Sequence, residues 1–280
     1  MKRILFTGST GFIGRNVLPA LRGRYDITAP SRSELDLLDA GGVRRYLERG
    51  QFDAVLHFAT PTALNPADKF DELFERSLRV FTSLLHCGGL YGKMIYLGSG
   101  AEYGKHRAIQ RAGEDEFGRE LPRDPYGLSR YIMSELARRH DGIINLRLFG
   151  CYGVGDPPFK LIPHVIGCIR KGGPIELRQN TYFDFLYVRD IVPVLAYFIE
   201  NRPKYNTYNL CSGEPVLTGD IAGEVRRQMK SETPIVFRQE GLGLEYTGDN
   251  SRLRGEIPDW KPRSIGEGIK EIFEDENRKA

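Results

Sequence analysis

Three glycines near the N-terminus stand between a short apolar run and a helix-like segment. Residues 3–7 have the composition of a buried strand, and residues 11–21 have the apolar spacing of a helix. Gly8 permits a tight turn, Gly11 lets the backbone approach a pyrophosphate, and Gly14 lets the helix pack closely on the sheet. The helix N-terminus then offers free N–H groups and a positive dipole end to a phosphate. The segment therefore predicts a dinucleotide-binding strand–turn–helix unit.

Apolar runs and helix-like stretches alternate over the first 150 residues. This alternation predicts an α/β fold, a doubly wound parallel Rossmann sheet with helices on both faces. We expect this domain to span 1–150 and a smaller C-terminal substrate-binding lobe to span 151–280, with a helix near 190–201 returning to the sheet. The predicted strands are 3–7, 25–29, 54–58, 93–98 and 142–149, and the predicted helices are 11–21, 42–49, 68–87 and 125–139.

Composition argues against several classes of function. The net charge is only +3 and no run of five basic residues occurs, so we expect no nucleic-acid partner. The apolar run 4–6 is too short for a signal peptide, and no stretch approaches the roughly 20 apolar residues of a membrane span. The cysteines are far apart and form no CxxC pair, which predicts reduced thiols, no metal site and a cytoplasmic location. They are Cys87, Cys151, Cys168 and Cys211.

The residues after the second predicted strand bear on the choice of cofactor. An acidic residue at this place would bond the ribose 2′-hydroxyl and repel a 2′-phosphate. Here Ser31 and Arg32 come first, and the first acid, Glu34, is late. A guanidinium beside a hydroxyl suits a 2′-phosphate, because it can meet it with paired charged hydrogen bonds. These residues favour NADP(H), with NAD(H) as the other possibility.

The three-and-three spacing of the glycines resembles the extended short-chain dehydrogenase/reductase superfamily, in its branch of nucleotide-sugar epimerases, dehydratases and reductases. Asp36 and Leu37 lie in a segment similar to the family's adenine-contacting stretch. His57, Phe58 and Ala59 resemble the step after the third strand that lines the cofactor. A lone histidine is more often a core residue, and we predict no catalytic role for His57.

Ser99 and Tyr126 lie in two segments that resemble the family's catalytic motifs. Leu-Gly-Ser-Gly-Ala-Glu-Tyr-Gly around Ser99 resembles the serine segment. Asp124 can cap a helix whose first residue is Pro125. Tyr126 and Arg130 are then four apart on one helical face. A tyrosine is a weak acid near neutrality, with an unperturbed pKa of about 10, and a nearby cation stabilises its phenolate.

The resemblance implies that Tyr126 exchanges a proton with a carbonyl or alcohol oxygen as hydride moves, while Ser99 bonds the same oxygen. The family's cation is normally lysine. Arg130 keeps the charge but is bulkier and forked. The predicted catalytic residues are therefore Ser99, Tyr126 and Arg130. The predicted cofactor-binding residues are Gly8, Thr10, Gly11, Phe12, Ile13, Gly14, Ser31, Arg32, Asp36, Leu37, His57, Phe58, Ala59, Tyr126, Arg130 and Phe149.

Departures from the family's motifs narrow the reaction. Dehydratases carry an Asp-Glu pair after the serine or threonine, where this chain has Gly100 and Ala101, with Glu102 one place late. Members that epimerise before reduction use a cysteine and a histidine, whose places hold Ala101 and approximately Gly155. Two reactions remain: reduction of a keto-sugar by NADPH, which Arg32 favours, and C4 epimerisation with tightly bound NAD. A third alternative is an NADP-binding sensor without catalysis.

The second half of the chain resembles the family less closely where substrate is bound. Gly150 replaces an asparagine that helps to bind substrate, and Phe183 replaces an arginine that contacts the substrate diphosphate. Arg178 or Lys160 could compensate. The resemblance still spans nearly the whole chain. It implies a nucleotide-sugar substrate from surface-polysaccharide or deoxysugar biosynthesis, and a homodimer formed through the third and fourth predicted helices.

Overall fold

Strands and helices alternate in the computed structural model, which describes residues 1–60 and 70–279. The strands are β1 (Arg3–Thr7), β2 (Asp26–Thr28), β3 (Phe52–His57), β4 (Tyr91–Ser99), β5 (Ile109–Ala112), β6 (Ile143–Leu148), β7 (Gly150–Tyr152), β8 (Ile175–Leu177), β9 (Tyr182–Tyr187), β10 (Thr207–Leu210), β11 (Pro215–Leu217), β12 (Ile235–Phe237) and β13 (Tyr246–Gly248). The helices are α1 (Phe12–Arg22), α2 (Ala40–Gly50), α3 (Phe70–Leu85), α4 (Pro125–Ala137), α5 (Leu161–Lys171), α6 (Ile191–Glu200), α7 (Thr218–Gln228), α8 (Ser251–Glu256) and α9 (Ile265–Lys279).

The main sheet has the strand order β10-β6-β4-β3-β1-β2, and its strand pairs are parallel. Successive residues of β1 face opposite sides of it, as the strand period requires. Ile4 and Phe6 pack with α1 and α6, whereas Leu5 packs with α2, α3 and α4. Helices therefore cover both faces, which is the arrangement that an all-parallel sheet needs. The predicted doubly wound α/β fold is confirmed.

One strand of the main sheet was not predicted from the sequence. β10 has four residues and pairs with β6 from Asn145 to Leu148. Residues 207–210 fall in the predicted smaller lobe, because a short strand far along the chain from its neighbour carries little local signal. α6 returns to the main sheet as predicted, since its apolar residues join the core around Phe6. A division of the chain near Cys151 stays a prediction.

A second sheet packs at the end of β6. Its path is β11-β9-β13-β5, and β7 pairs with β9. Only Phe149 separates β6 from β7, so the second sheet begins where the main sheet strand ends. The rings of Phe149 and Tyr246, which lies on β13, are 5.1 Å apart. The second sheet thus brings distant parts of the chain to the carboxyl end of the main sheet.

The helix ends differ slightly from those predicted. α3 is described from Phe70, and the predicted residues 68 and 69 lie outside the described part of the chain. α4 begins as predicted, because Asp124 Oδ1 accepts the Gly127 N–H at 2.8 Å. Among the described residues, no helix combines the length and apolar character that a bilayer crossing requires. All four cysteines are free thiols.

Candidate active site

The glycine loop holds the first turn of α1 against the end of β1. Gly8 has φ +79°, and a Cβ there would lie 2.4 Å from the Ala59 backbone nitrogen. A Cβ on Gly14 would lie 2.3 Å from the Gly8 carbonyl oxygen. Both positions therefore need glycine. The first N–H groups of a helix have no acceptor within it. The first turn of α1, which includes Phe12 and Ile13, lines a cavity.

Two cavities meet at this loop and share Gly8 and Thr60. The β2-side cavity has a volume of about 510 Å³ and the β4-side cavity about 640 Å³. Together they form a groove that passes over the N-terminus of α1. Of the predicted residues, the β2-side cavity is lined by Gly8, Thr10, Ser31, Arg32, Asp36, Leu37 and Ala59. The β4-side cavity is lined by Gly8, Gly11, Phe12, Ile13, Gly14, Phe58, Ser99, Tyr126 and Phe149.

The β2-side cavity presents two guanidinium groups. Arg32 lines it and lies 3.9 Å (Nε to Oδ1) from Asp36. Glu34 instead accepts hydrogen bonds from the backbone and the hydroxyl of Ser31, each at 2.7 Å, and these bonds lower the pKa of its carboxyl. Arg76 on α3 is the second guanidinium. No sequence motif marks Arg76, because only the packing of α3 brings it to this cavity.

His57 lies behind the groove. Its side chain is 2% exposed, and Nδ1 is 2.9 Å from the hydroxyl oxygen of Thr7. Burial, and then the positive charge of Arg130, lower the pKa of the imidazole to about 3, so the ring is neutral. Among the described residues that line the two cavities His57 is absent. His57 thus occupies a core position, and its contact with a cofactor stays a prediction.

Ser99 and Tyr126 face the same cavity from different elements. Ser99 ends β4, and Tyr126 is the second residue of α4 with 38% of its surface exposed. Arg130 is buried one turn further along α4, with its Cζ 5.0 Å from the Tyr126 ring centroid. Its Nη1 donates to the Thr60 hydroxyl at 3.2 Å. Arg130 Nη1 also lies 3.4 Å from the Leu97 carbonyl oxygen, to which it donates.

A buried ion pair holds the turn that carries Ser99. The Ser99 N–H donates to Glu102 Oε1 at 2.9 Å, and Arg147 Nε donates to Glu102 Oε2 at 2.7 Å. Arg147 and Glu102 are both at most 1% exposed. Burial alone would lower the pKa of Arg147, but the charge of Glu102 raises it above its ordinary value. Glu102 therefore points into the core, away from the cavity in which a dehydratase acid would act.

The same network reaches α4. Asn145 donates to Ser134 Oγ at 3.0 Å, and Arg147 Nη2 donates to it at 3.4 Å. Arg147 Nη1 also donates to the Tyr103 hydroxyl at 2.6 Å. Ser134 belongs to the helix that carries Tyr126. The buried charges thus link the backbone of Ser99 to the element that positions Tyr126.

Aromatic rings form one wall of the β4-side cavity. Tyr246 lies between Phe149 and Phe183, with ring centroids 5.1 and 4.8 Å away, and Phe185 is 4.9 Å from Phe183. Lys105 Nζ lies 4.7 Å from the Tyr246 ring centroid. The sequence motifs missed Tyr246 and Lys105, because they meet only when the second sheet folds against β4. Phe183, in the place of the family's arginine, supplies apolar surface here.

A buried carboxyl group, that of Asp156, also lines this cavity. Asp156 Oδ1 is buried without a hydrogen-bond partner in the described structure. Burial raises the pKa of Asp156 to about 7, and the positive charge of Lys160 opposes the rise. Burial also raises the pKa of the Cys151 thiol, which lines the same cavity. Asp156 thus changes its charge near neutral pH.

A further cavity of about 760 Å³ lies behind α1. Two of the arginines that line it are paired within the protein, since Arg189 bonds Asp275 at 3.0 Å and Arg263 bonds Glu271 at 2.6 Å. It lies away from Ser99 and Tyr126. The described residues include no group of three or more histidine, cysteine or acidic side chains able to hold a metal ion. The groove over α1 is therefore the candidate active site.

Comparison with known proteins assigns the chain to a family. The family model described as the NAD dependent epimerase/dehydratase family matches residues 4–211. The ADP-L-glycero-D-manno-heptose-6-epimerase of Cupriavidus pinatubonensis is 28% identical over 295 residues, covering 90% of this chain and 87% of that protein. The enzyme of the same name from Pseudomonas aeruginosa is 26% identical and covers 84% of this chain and 82% of its own length.

Solved structures share the whole fold at lower identity. A GDP-mannoheptose C4 reductase from Campylobacter jejuni with NADP bound has a TM-score of 0.83 at 18% identity, covering 98% of this chain and 97% of its own. RMD from Pseudomonas aeruginosa complexed with NADPH has a TM-score of 0.82 at 22% identity, covering 100% of this chain and 99% of its own. At these identities the likeness extends to the fold alone.

Proposed function

The chain belongs to the NAD dependent epimerase/dehydratase family, and we propose that it is an NADPH-dependent reductase of a keto nucleotide sugar. One observation carries the proposal. A single groove presents two arginines at one end, the N-terminus of α1 in the middle, and Ser99 and Tyr126 facing one cavity at the other end. That order matches the 2′-phosphate, pyrophosphate and nicotinamide of one extended cofactor.

The residues present fit such a cofactor. Gly8 and Gly14 leave no space for a side chain, so the loop packs tightly between β1 and α1, and the first turn of α1 would offer its free N–H groups to a pyrophosphate. Arg32 and Arg76 would hold the 2′-phosphate. Asp36 lines the same cavity near the place of the adenosine. When bound, the nicotinamide supplies a hydride to the carbonyl carbon.

The side chains of this protein then complete the reduction at the carbonyl oxygen. Tyr126 gives that oxygen its phenolic proton, so the carbonyl becomes an alcohol once hydride has reached the carbon. The Arg130 guanidinium, 5.0 Å from the Tyr126 ring, stabilises the phenolate that remains. Ser99 donates a hydrogen bond to the same oxygen while negative charge develops there.

A second candidate is epimerisation of a sugar with the same residues. Tyr126 would then take a proton from an alcohol and return it after the hydride has moved back to the other face. The names of the relatives at 28% and 26% identity favour this candidate. Arg32 and Arg76 favour the reductase, because they suit NADPH, the reduced cofactor that cells supply for biosynthesis.

Purified protein mixed with NADPH and a panel of 4-keto nucleotide sugars, and separately with nucleotide sugars that carry only hydroxyl groups, separates these functions. A reductase consumes the nicotinamide absorbance with one of the sugars and forms one alcohol. An epimerase leaves the absorbance unchanged, retains NAD through purification and interconverts two sugars detected by NMR. A protein that binds NADPH but changes no sugar contradicts both enzymatic proposals and supports a sensor.

Replacing Arg32 by alanine is expected to raise the Michaelis constant for NADPH about 10- to 100-fold, since a hydrogen bond to a charged group contributes about 1.5–3 kcal/mol. The constant for NADH should change less than about twofold, because NADH has no 2′-phosphate. Steady-state kinetics with both cofactors measure this. Arg79→Ala is the matched control, because Arg79 is exposed on α3 and pairs with Glu75. An equal effect on both cofactors would contradict the assignment.

Substrate binding is expected to weaken as pH rises through 7. Asp156 is uncharged below its raised pKa of about 7 and anionic above it. The anion would repel a sugar diphosphate, and a repulsion of about 1 kcal/mol raises the Michaelis constant about fivefold between pH 6 and pH 8. Asp156→Asn should remove most of this rise while the constant for NADPH keeps its own pH profile. A variant with the wild-type pH dependence would contradict the role of Asp156.

We also propose a homodimer through α3 and α4. The two helices pack side by side in the chain, where Phe81 and Leu84 of α3 share a core cluster with Met133 and Ala137 of α4. The resemblance noted above pairs these helices with the same helices of a second copy. Light scattering after size-exclusion chromatography measures the mass, and a monomer at micromolar concentration would contradict the proposal.

A further inference from the structure

Lys105 lies in the loop that joins the turn after β4 to β5. The Gly104 N–H donates to the Ala101 carbonyl at 3.0 Å, and Gly104 has φ +87°, so the chain turns sharply just before Lys105. Beyond Lys105, the Ile109 N–H donates to the Glu245 carbonyl at 2.8 Å. The backbone of Lys105 is therefore held between the end of β4 and the pairing of β5 with β13.

The ammonium of Lys105 lies against an aromatic ring of the β4-side cavity. Lys105 Nζ is 4.7 Å from the centroid of the Tyr246 ring, and both residues line this cavity together with Ser99. Tyr246 is buried, and its ring packs on Phe149 and Phe183. A ring face contacts only one side of a cation. The ammonium has three N–H donors, so donors remain for the oxygen atoms of a ligand.

The position of this ammonium matches the far end of a sugar whose carbonyl lies at Ser99. The Tyr246 phenol oxygen is 2.7 Å from the point that a Cβ would occupy on Gly100, the residue after Ser99. The hydroxyl end of the ring therefore lies at the Ser99 turn, whereas Lys105 Nζ lies against the ring itself. In a six-membered sugar ring, the carbon that carries the diphosphate is directly across from the 4-carbonyl carbon. A substrate with this carbonyl at Ser99 can thus extend its diphosphate toward Lys105.

The charge for an anion at this aromatic wall comes from the loop and not from the second sheet. Phe183 and Tyr246 present rings to each other there, and Lys105 adds an ammonium. Hydrogen bonds between an ammonium and a phosphate are shorter and stronger than neutral ones. Lys105 is exposed, so its flexible side chain can meet a phosphate from several directions.

We propose that Lys105 is a specificity-determining residue that binds the diphosphate of the nucleotide-sugar substrate. The proposal rests on the proposed function, because it assigns a residue to the substrate of that same reaction. It explains why a cation lies against the apolar wall of the cavity. It also gives the site a preference for a sugar carried on a diphosphate over the free sugar.

Binding of nucleoside diphosphates to the protein saturated with NADP⁺ tests the proposal before the sugar is known. The cofactor fills its own part of the groove, which directs a nucleoside diphosphate to the substrate's position. Isothermal titration calorimetry with ADP, GDP, UDP and dTDP identifies the tightest of the four. Lys105→Met keeps the length of the side chain and loses the charge, so we expect the Kd to rise about three- to tenfold, the modest effect of an exposed charge. Lys105→Arg should stay within about twofold of wild type.

Lys270→Met is the matched control. Lys270 is exposed on α9, outside both cavities, and lies 3.7 Å from Glu274. Its loss of charge should leave the Kd unchanged. Raising the salt concentration from about 50 mM to about 500 mM should weaken binding to wild type more than binding to Lys105→Met, because salt screens an exposed ionic contact.

A Kd within about twofold of wild type in Lys105→Met would overturn the proposal, as would wild-type protein that binds none of the four nucleoside diphosphates. Equal losses in Lys105→Met and Lys105→Arg would also overturn it, because the charge would then not be the cause. With the keto-sugar that the panel identifies, Lys105→Met should raise the Michaelis constant, and a fall in kcat alone would count against the diphosphate contact. If no keto-sugar is reduced but binding of a nucleoside diphosphate depends on Lys105, the proposed function fails and the diphosphate site stands.

Discussion

Tyr126→Phe is expected to lower kcat about 10²- to 10⁴-fold, the range that positioned proton transfer contributes. In the proposed mechanism the Tyr126 phenol, which lines the β4-side cavity, gives a proton to a carbonyl oxygen, and phenylalanine retains only its ring. The NADPH dissociation constant should stay within about twofold, since one lost hydrogen bond at a partly exposed residue contributes little to binding. Stopped-flow measurement of NADPH oxidation separates the chemical step from cofactor binding.

Tyr131→Phe is the matched control for this prediction. Tyr131 lies on the same helix, and its ring stacks on Phe117 with centroids 4.6 Å apart, outside both cavities. Its loss of a hydroxyl should leave kcat nearly unchanged. A Tyr126→Phe protein with more than a third of wild-type turnover would show that the proton comes from another group. Asp156 is then the next residue to test, because it titrates in the same cavity.

Glu102→Gln is expected to lower the free energy of unfolding by about 3–5 kcal/mol, since breaking a buried ion pair leaves an uncompensated charge in the core. Arg147 would keep its burial and lose the carboxylate that holds it. Urea unfolding monitored by fluorescence of Trp260 and by circular dichroism measures the change. Turnover of the folded fraction should also fall, because the Ser99 N–H loses its charged acceptor.

Two further variants show whether the charge is the cause. Glu102→Gln combined with Arg147→Met should recover part of the lost stability, because removing both charges costs less than removing one. Glu48→Gln breaks the exposed pair of Arg44 and Glu48, 3.0 Å apart, and should cost less than about 1 kcal/mol. A Glu102→Gln protein as stable as wild type would mean that solvent or another acceptor reaches Arg147.

The parts of the site that sequence predicts well are built from neighbouring residues. Turns and helix spacing, which a few residues determine, account for three features of the site. They are the glycine loop, the cap of α4 by Asp124, and the position of Tyr126 and Arg130 on one face of α4. Their positions could be predicted because the physics that creates them is local. The fold class could also be predicted from local patterns, because strands and helices alternate along the sequence.

The parts that sequence could not predict depend on contacts between distant segments. Tyr246 and Lys105 become neighbours only through the pairing of β13 with β5. Arg76 reaches the β2-side cavity only because α3 packs beneath it. Glu102 has the spacing of a displaced catalytic acid, but its partner, Arg147, lies on another strand. No periodicity or motif in the sequence predicts these contacts between distant segments.

The position of β10 at the edge of the main sheet has a consequence for how the protein is made. β6 pairs with β4 along one edge, and its other edge pairs with residues 207–210, which are synthesised much later. During synthesis, the ribosome must therefore extend the chain about 60 residues past β6 before this edge is covered. An uncovered parallel edge is a template for association between nascent chains. Until residues 207–210 are made, β6, whose residues are all buried in the folded protein, is the edge strand, and afterwards the edge is the short strand β10.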